Sequence, residues 1–358
     1  MVLAEGAGVE AAPLRSDYLD CLLTDIGLWQ HAEGCTPHQR HGYSIDDEAR
    51  GLIVGLGYWQ AGVEPDFYGR LAATCFQFVA KAAIGAGDAA GRFHNFSDTR
   101  GRWLDSVGSD DSFGRTLWGL GVAHAADAPF APRAAAVRLL ERSLPAIDTL
   151  NPWYLRAHAF TLLGLAAARI DDGRMARMAD ALADAYVGHA DPGWRWFEEG
   201  MTYCNARLPH ALFVASRLLP GGERYAEVAT ASLDFLLEKT RNAQGSFSPV
   251  GNDRLTTQGW FLRTDAMPAV FDQQPVDAGA LVECCVAAWE ATRDPRFRQA
   301  AWDAYGWYFG RNVHGLSVYD PQTGGVSDSV TQSGLSRNHG AESVLSVHLA
   351  RLALDTLA

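Results

Sequence analysis

The sequence predicts an all-α protein, an (α/α)6 toroid of about twelve helices with long loops on one rim. Three observations lead to this fold class. Apolar residues recur at positions i, i+3 and i+4 almost throughout the chain, which is the spacing of amphipathic helices. Gly, Pro and Asp divide this pattern into twelve segments of helical length. The connections between the segments alternate between short and long. Six helical hairpins closed into a ring explain all three.

The twelve segments follow one another without a low-complexity linker or a change in composition, so we expect a single domain over residues 1–358. An open solenoid is the alternative, but solenoids repeat a consensus of constant length and the chain shows none. The predicted helices cover residues 15–31, 46–61, 65–85, 111–126, 131–148, 152–170, 174–189, 202–218, 222–241, 275–293, 296–311 and 341–357.

The connections indicate where a site lies. Short turns lead into the odd-numbered helices, whereas most even-numbered helices follow long loops rich in Gly, aromatic and acidic residues. In a ring of alternating helices the even-numbered ones all begin at the same end, so we expect these loops to lie together on one rim of the ring. Long loops in a compact domain are usually functional. Short strands are expected within them at residues 91–96, 101–104, 193–197 and 245–248.

Acids, amides and aromatic residues cluster at the starts of the even-numbered helices. Helix capping and the helix dipole explain one acid per helix, but not acid doublets beside amides and tryptophans. Sugars are bound by carboxylates and amides on their hydroxyls and by aromatic rings on their apolar face. The candidate substrate-binding residues are Asp110, Asp111, Trp194, Trp196, Glu198, Glu199, Tyr203, Arg207, Asp272, Gln273, Gln274, Asp277, Asn338 and His339.

The C-terminal part resembles glycoside hydrolase family 9, an (α/α)6 family of inverting enzymes. The motif from Tyr305 to Asn312 (YGWYFGRN) ends the eleventh helix, and Asn338-His339-Gly340-Ala341-Glu342-Ser343 opens the last one. The resemblance implies that Glu342 is the general acid and that Asp47 or Asp46 is the base. Hydrolysis of a glycosidic bond uses two carboxyl groups, one on each side of the sugar. The two aspartates are adjacent here, where the family has Asp-Ala-Gly-Asp. The long loops favour exo action on an oligosaccharide.

Taken whole, the chain is similar to a bacterial group of helical proteins that are often labelled glycosyltransferases. The shared motifs are DD-x-A-R at residues 46–50, DD-x-x-G-R at 110–115, NARLP at 205–209 and DQQPV at 272–276. The sequence does not support the transferase label, because it has no Gly-rich nucleotide-binding loop.

Besides glycoside hydrolysis, three other functions are consistent with the same fold. A glycoside phosphorylase would bind phosphate through arginines, with Arg50, Arg115, Arg207 and Arg337 as candidates. A sugar epimerase would use a pair of histidines, from among His41, His94, His158, His210 and His339. A sugar-binding protein without catalysis is the third, although such a protein rarely needs so many like charges at one rim.

Charge and composition restrict the partners. Acidic residues outnumber basic ones by 42 to 30, which argues against nucleic acid and anionic membranes. Residues 1–16 contain Glu5 and Glu10 and no basic-then-apolar pattern, so we expect no secretory signal. The six cysteines form no CxxC pair, which is typical of reduced thiols in a cytoplasmic protein. We expect neither a cofactor nor a metal, and the sequence does not indicate an oligomeric state.

Overall fold

The computed structural model describes residues 13–34, 36–242, 244–253 and 259–357. Glu5, Glu10 and Cys35 lie outside the described residues, so the expectation about a secretory signal stays a prediction. In the described part the α-helices are α1 Asp17–Leu22, α2 Ile45–Gln60, α3 Pro65–Ala82, α4 Asp110–Ala126, α5 Arg133–Ile147, α6 Leu155–Ala168, α7 Arg174–His189, α8 Arg207–Leu218, α9 Glu223–Lys239, α10 Pro275–Thr292, α11 Pro295–Tyr305 and α12 Ala341–Asp355.

The even-numbered helices close into a ring. Helix α2 packs on α4, α4 on α6, α6 on α8, α8 on α10, α10 on α12, and α12 returns to α2. From α3 onward, each odd-numbered helix packs against the inner helix that precedes it in the chain. Short helix α1 lies against α12. The predicted (α/α)6 toroid of twelve helices is therefore confirmed.

Burial separates the two layers. Inner helices such as α6 and α10 are buried on nearly every face, because each has inner neighbours on both sides and an outer helix behind it. Outer helices bury one apolar stripe and keep a charged face in water. Inner helices approach closely at glycines. A β-carbon added at Gly121 of α4 would lie 2.1 Å from the carbonyl oxygen of Gly164 on α6, so both helices pack backbone to backbone.

The inner helices begin at one end of the ring, which we call the rim. Ser44 precedes α2, and its hydroxyl accepts a hydrogen bond from the Asp46 backbone N–H at 3.2 Å. Ser109 does the same for α4, accepting from the Ser112 N–H at 3.1 Å. Pro275 is the first residue of α10, where a missing N–H costs nothing. The acids that follow these caps therefore point toward the rim.

Four short antiparallel ladders connect the rim loops. They are β1 Ala32–Glu33 with β2 Thr36–Pro37, β3 Tyr43–Ser44 with β4 Phe96–Ser97, β5 Gly200–Met201 with β6 Phe261–Leu262, and β7 Val330–Thr331 with β8 Gly334–Leu335. Of the expected strands, only residue 96 belongs to a ladder strand. The other three segments form single bridges at Trp103, Trp194 and Phe247.

The first predicted helix, residues 15–31, is largely wrong. Helix α1 ends at Leu22, and Leu23 is extended and bridges Leu28 around a turn that contains Gly27. The eleventh predicted helix ends at Tyr305, before a short 3-10 turn over Gly306–Tyr308.

Among the described cysteines, Cys21 is exposed, and Cys75, Cys204, Cys284 and Cys285 are buried free thiols. In the part of the chain that the structure describes, no helix combines the length and apolar character that crossing a bilayer requires.

Candidate active site

A cavity of about 300 Å³ opens at the rim where α2, α10 and α12 begin. Its volume is at the lower end of the range for small-molecule sites. The cavity is lined by Gln30, His31, Ser44, Asp46, Asp47, Arg50, Phe96, Gln274, Pro275, Val276, Asp328, Gly340, Glu342 and Ser343. It therefore brings together the three candidate catalytic acids, although they come from opposite ends of the sequence.

One arginine contacts two of these acids. Arg50 lies one turn after Asp47 on α2, and its Nη1 is 3.3 Å from Asp47 Oδ1. The Nη2 of Arg50 donates to Glu342 Oε1 at 2.5 Å. The side chains of Arg50 and Asp47 are 5% and 8% exposed, whereas that of Glu342 is 45% exposed. The two carboxyl groups thus share one cation but differ in their contact with water.

Asp46 belongs to a second charged group. Arg115 of α4 lies 2.8 Å from Asp111 and 3.7 Å from Asp46, and its guanidinium stacks over the Phe160 ring. Within the described residues, the buried Oδ1 of Asp46 has no hydrogen-bond partner. That oxygen is therefore available to a ligand in the cavity.

Burial changes the protonation of these acids. It raises the pKa of Asp47 to about 7, and the negative charges of Glu342 and Asp46 act in the same direction. The Arg50 guanidinium opposes this shift. Burial also raises the pKa of Asp46. The cavity therefore holds a carboxyl group that carries its proton close to neutral pH, which is the property a general acid needs.

The third acid of the run, Glu48, points away from the cavity. Its Oε1 accepts a hydrogen bond from the Leu28 backbone N–H at 2.6 Å, and the residue is fully buried. Burial raises the pKa of Glu48 to about 8. Glu48 therefore supports the chain before the first rim loop and takes no part in the site.

Asp328 organises the start of α12. Its Oδ1 accepts from the Gly340 N–H at 2.7 Å and the Ser343 hydroxyl at 2.5 Å, and its Oδ2 accepts from the Asn338 amide at 2.5 Å. Its side chain also raises the pKa of His31, chiefly by hydrogen bonding. Asp328 thereby fixes the first turn of α12 and the position of Glu342.

Among the residues that line the cavity, Gln30, His31, Phe96 and Asp328 were not predicted from the sequence. None begins a predicted even-numbered helix, and Asp328 lies in a loop twelve residues before the backbone N–H that it caps. Phe96 ends an expected strand, and the polar residues on both sides of it are the signal in the sequence that its ring is exposed. Its ring is 41% exposed and faces the cavity.

A third charged group lies beside the inner helix α6. Arg156 donates through Nη1 to Glu198 at 2.9 Å and through Nε to the Tyr203 carbonyl at 2.6 Å, and it stacks over the Tyr203 ring. On α8, buried Arg207 forms an ion pair with Glu283 and stacks over a tryptophan ring. Arg207 is therefore occupied by a core carboxylate.

Asp277 at the start of α10 is buried, which raises its pKa to about 7. The backbone N–H groups of Asn205 and Cys204 oppose that shift. Gln274 precedes α10 and lines the cavity. Asn338 contacts His31 and Asp328 through its amide nitrogen and borders the neighbouring cavity.

The interpretation of Trp194 and Trp196 as sugar platforms is wrong, because both are buried, at 4% and 0% exposure. Trp194 donates its indole N–H to the Glu198 carbonyl at 2.8 Å and packs on Phe261. Gln273 is also fully buried, and its side-chain amide oxygen accepts a hydrogen bond from the Trp307 indole N–H at 2.9 Å. These three residues pack within the rim loops and do not line the cavity.

The remaining candidates lie apart from the cavity. Asp110 pairs with Arg92 at 2.7 Å and accepts from the Asn151 N–H at 2.8 Å. Glu199 is 72% exposed. Asp272 lines a separate cavity of about 630 Å³ beside Phe271.

The histidines do not form a pair across the cavity. Among the residues the structure describes, His31 is the one histidine that lines it. His339 lies against Tyr18, with its Nε2 3.2 Å from the Ser327 hydroxyl, and burial lowers its pKa. His158 bonds the Asn151 carbonyl, His94 stacks on Trp103, and His210 is buried beside Arg207. Over the described ranges, no group of three or more His, Cys, Asp or Glu side chains is arranged to hold a metal ion.

Comparison with known proteins gives a consistent fold. No protein-family model matches the chain, and no curated protein matches its sequence. A sugar epimerase from a ruminal bacterium has a similar structure, with a TM-score of 0.72 and 12% identity over 100% of this chain and 98% of the epimerase. A cellobiose 2-epimerase from Bacillus thermoamylovorans gives a TM-score of 0.69 at 13% identity, over 95% of each chain.

A cellulase, Cel9M of C. cellulolyticum in complex with cellobiose, is more distant. Its TM-score is 0.57 at 9% identity, over 93% of this chain and 88% of the cellulase. The chain therefore has the (α/α)6-barrel, glycoside hydrolase-like fold, which epimerases and hydrolases share. The proteins of similar structure are carbohydrate-active enzymes of both kinds.

Proposed function

We propose that this protein is a glycoside hydrolase that cleaves an oligosaccharide with Asp47 and Glu342 as its acid and base pair. One observation carries the proposal: two carboxyl groups of unlike environment face one cavity and contact opposite nitrogens of Arg50. Glycoside hydrolysis needs one protonated and one ionised carboxyl group. An epimerase or a sugar-binding protein has no such requirement.

The charge environment favours Asp47 as the acid. Burial raises its pKa to about 7, so a large fraction of the molecules carry its proton at neutral pH. Glu342 is half exposed and accepts a hydrogen bond from Arg50, so it is open to the water molecule that a general base activates. These roles are the reverse of those that the resemblance to glycoside hydrolase family 9 implies.

The proposed reaction is a single displacement by water at the anomeric carbon. Asp47 donates its proton to the glycosidic oxygen as the bond from that oxygen to the anomeric carbon breaks. A water molecule forms the new bond to the anomeric carbon and gives its proton to Glu342. The leaving sugar departs as an alcohol, and proton exchange with solvent restores both carboxyl groups.

The other lining residues suit a sugar. The exposed Phe96 ring offers an apolar face, and Gln30, Gln274 and Ser44 offer groups that bond hydroxyls. A cavity of about 300 Å³ has room for few sugar rings, which supports action at a chain end. Inversion at the anomeric carbon and a cytoplasmic location remain parts of the proposal that rest on sequence alone.

A sugar 2-epimerase is the second candidate. It is supported by the similar structures of the two epimerases and by His31, which faces the same cavity as Asp47. Phosphorolysis has less support. Three of its four candidate arginines, Arg50, Arg115 and Arg207, already contact carboxylates, and the fourth, Arg337, does not line the cavity of Asp47 and Glu342.

The test is a panel of neutral α- and β-linked disaccharides, each incubated with and without inorganic phosphate and analysed by mass spectrometry. Hydrolysis without phosphate, abolished in Asp47→Asn and Glu342→Gln, is the expected result. Glu227→Gln on the exposed face of outer helix α9 is the matched control. Cleavage only with phosphate, or a change of sugar without cleavage, would replace hydrolysis by phosphorolysis or epimerisation.

A further inference from the structure

A second cavity of about 310 Å³ adjoins the first. The two share His31, which lines both of them. The remaining lining residues belong to the β1–β2 hairpin, the segment after it and the loop before α12. They are Ala32, Glu33, His38, Arg40, His41, Arg337 and Asn338. We call this cavity the basic pocket.

The basic pocket has the opposite charge to the rest of the protein. Two arginines and three histidines line it with one carboxylate, Glu33, although acids outnumber basic residues by 42 to 30 in the whole chain. Glu33 lies 3.7 Å from His38. Within the described residues, neither Arg40 nor Arg337 forms an ion pair with a carboxylate. Both guanidinium groups are therefore available to an anionic ligand.

The histidines stand close together. The ring centroids of His31 and His41 are 4.6 Å apart, and those of His38 and His41 are 6.3 Å apart. Arg40 donates through Nε to the His41 Nε2 at 3.0 Å. The pKa of His41 is lowered first by burial and then by the charges of His31, Arg40 and His38. The positive charge of the pocket therefore comes from Arg40 and Arg337, and the imidazole rings add N–H groups that donate to an oxyanion.

We propose that the basic pocket binds the negatively charged substituent of a sugar, a carboxylate or a phosphate ester, next to the bond that is cleaved. This inference rests on the proposed function, because it places a charged sugar of the same substrate beside the Asp47–Glu342 cavity. It narrows the substrate class from oligosaccharides in general to acidic ones. Arginine is suited to this role, since its planar guanidinium pairs with carboxylate and phosphate oxygens.

The position of the basic pocket favours an anion carried by the sugar over free phosphate. A phosphate that attacks the anomeric carbon must reach the cavity of Asp47 and Glu342, but Arg40 and Arg337 do not line that cavity. Arg50 does line it and already contacts both carboxyl groups. The available cations are therefore displaced to one side of the reacting bond, where a neighbouring sugar would lie.

Asn338 joins the two cavities. Its Oδ1 accepts from the Ala32 N–H at 3.2 Å, and its Nδ2 lies 2.8 Å from His31 and 2.5 Å from Asp328. Its backbone also bridges that of Glu33. The hairpin that carries the basic pocket is therefore connected to the start of α12, which carries Glu342.

The first test measures binding without catalysis. Wild-type protein and the Arg40→Ala/Arg337→Ala double variant are titrated with glucuronate, glucose 6-phosphate, glucose and inorganic phosphate, with the histidine imidazole signals followed by NMR. We expect both acidic sugars to shift the signals of His31, His38 and His41, glucose to have a much weaker effect, and the double variant to lose about tenfold in affinity. Arg138→Ala, exposed on outer helix α5, should bind as the wild type does.

The second test measures selectivity. The neutral disaccharide found in the hydrolysis panel is compared with the same disaccharide carrying a carboxylate at C6 of one sugar. We expect kcat/KM to be about tenfold higher for the acidic substrate in the wild type and in Arg138→Ala. In the double variant that ratio should fall close to one.

The two tests separate the inference from the proposed function. Glucuronate binding that requires Arg40 and Arg337, in a protein that hydrolyses no sugar, would support the basic pocket and contradict the hydrolase. Hydrolysis with no preference for the acidic substrate would overturn the basic pocket alone. Binding of inorganic phosphate without binding of glucuronate, together with phosphate-dependent cleavage, would also overturn it.

Discussion

Arg50 of the first inner helix donates a 2.5 Å hydrogen bond to Glu342 of the last inner helix, across 292 residues of sequence. The contact lies where α12 returns to α2 and completes the ring. The same guanidinium contacts Asp47. The contact that closes the ring therefore also brings the two carboxyl groups together. The site cannot exist in a chain whose ring is open.

Arg50→Met should destabilise the protein, and more at pH 8 than at pH 5. Removing the cation leaves Asp47 and Glu342 facing each other without compensation. Breaking a fully buried pair costs about 3–5 kcal/mol, and we expect about 2–3 kcal/mol because Glu342 is half exposed. At pH 5 a protonated Asp47 reduces the repulsion. Thermal unfolding at both pH values measures this. Arg50→Lys keeps the charge and should lose less, and an equal loss at both pH values would contradict the explanation.

Asp47→Asn and Glu342→Gln should respond differently to the leaving group. A poor leaving group needs a proton from the acid, whereas an activated one such as fluoride does not. We expect Asp47→Asn to lose about 10²–10⁴-fold in kcat on the natural linkage and to recover most activity on the glycosyl fluoride. Glu342→Gln should remain inactive on both, because water activation is still required. The opposite pattern would restore the roles that the sequence resemblance implies.

The pH profile should report Asp47. If Asp47 must be protonated, kcat/KM falls as pH rises through its pKa of about 7, by about tenfold per unit above it. Arg50 lowers this pKa, so the fall should move to higher pH in Arg50→Lys if the lysine ammonium approaches Asp47 less closely. Initial rates at low substrate between pH 4 and 9 measure it. Activity that stays constant to pH 9 would exclude Asp47 as the acid.

The architecture was predictable because it depends on local patterns. Helical periodicity and the alternation of loop lengths do not require knowledge of tertiary contacts, and helix caps placed Asp46 and Asp47 at the rim. The residues that the prediction missed depend on long-range contacts. His31 and Asp328 reach the cavity through loops whose path is set by partners such as Asn338.

Trp194 shows why the aromatic residues were misplaced. It stands among Arg, Glu and Gly in the sequence, which indicates an exposed loop. In the structure it packs against Phe235 of α9 and Phe261 of the next rim loop. Loop polarity alone does not reveal a contact made by a distant loop. Phe96, whose neighbours on both sides in the sequence are polar, is the ring that remains exposed at the cavity.

Phe96→Ala should weaken substrate binding, whereas Trp196→Phe should not. An aromatic ring against a sugar contributes about 0.5–1.5 kcal/mol, so KM should rise about three- to tenfold in Phe96→Ala. The thermal stability of Phe96→Ala should change little, since the ring is partly exposed.

Trp196 is fully buried, and its indole nitrogen has no hydrogen-bond partner among the described residues. Trp196→Phe should lower the melting temperature and keep KM. Steady-state kinetics and thermal unfolding of both variants distinguish the two roles.

Asp47→Asn should gain stability relative to the wild type as pH rises. Asp47 has a pKa of about 7 in the folded protein and an ordinary value near 4 when unfolded. Its stabilising contribution is complete below about pH 4 and is lost by the time pH has risen through about 7, because between these values the unfolded state releases a proton that the folded state still binds. Three units set a ceiling of about 4 kcal/mol. Asparagine does not titrate, so the variant does not lose this contribution.

Melting temperatures of both proteins at pH 5 and pH 8 measure this difference in stability, with Glu227→Gln as the control for removing one acid. The difference in melting temperature should move by several degrees in favour of Asp47→Asn at pH 8. A difference that is independent of pH would mean that Asp47 ionises in the folded protein as it does in water, and that it cannot supply the proton for glycoside cleavage.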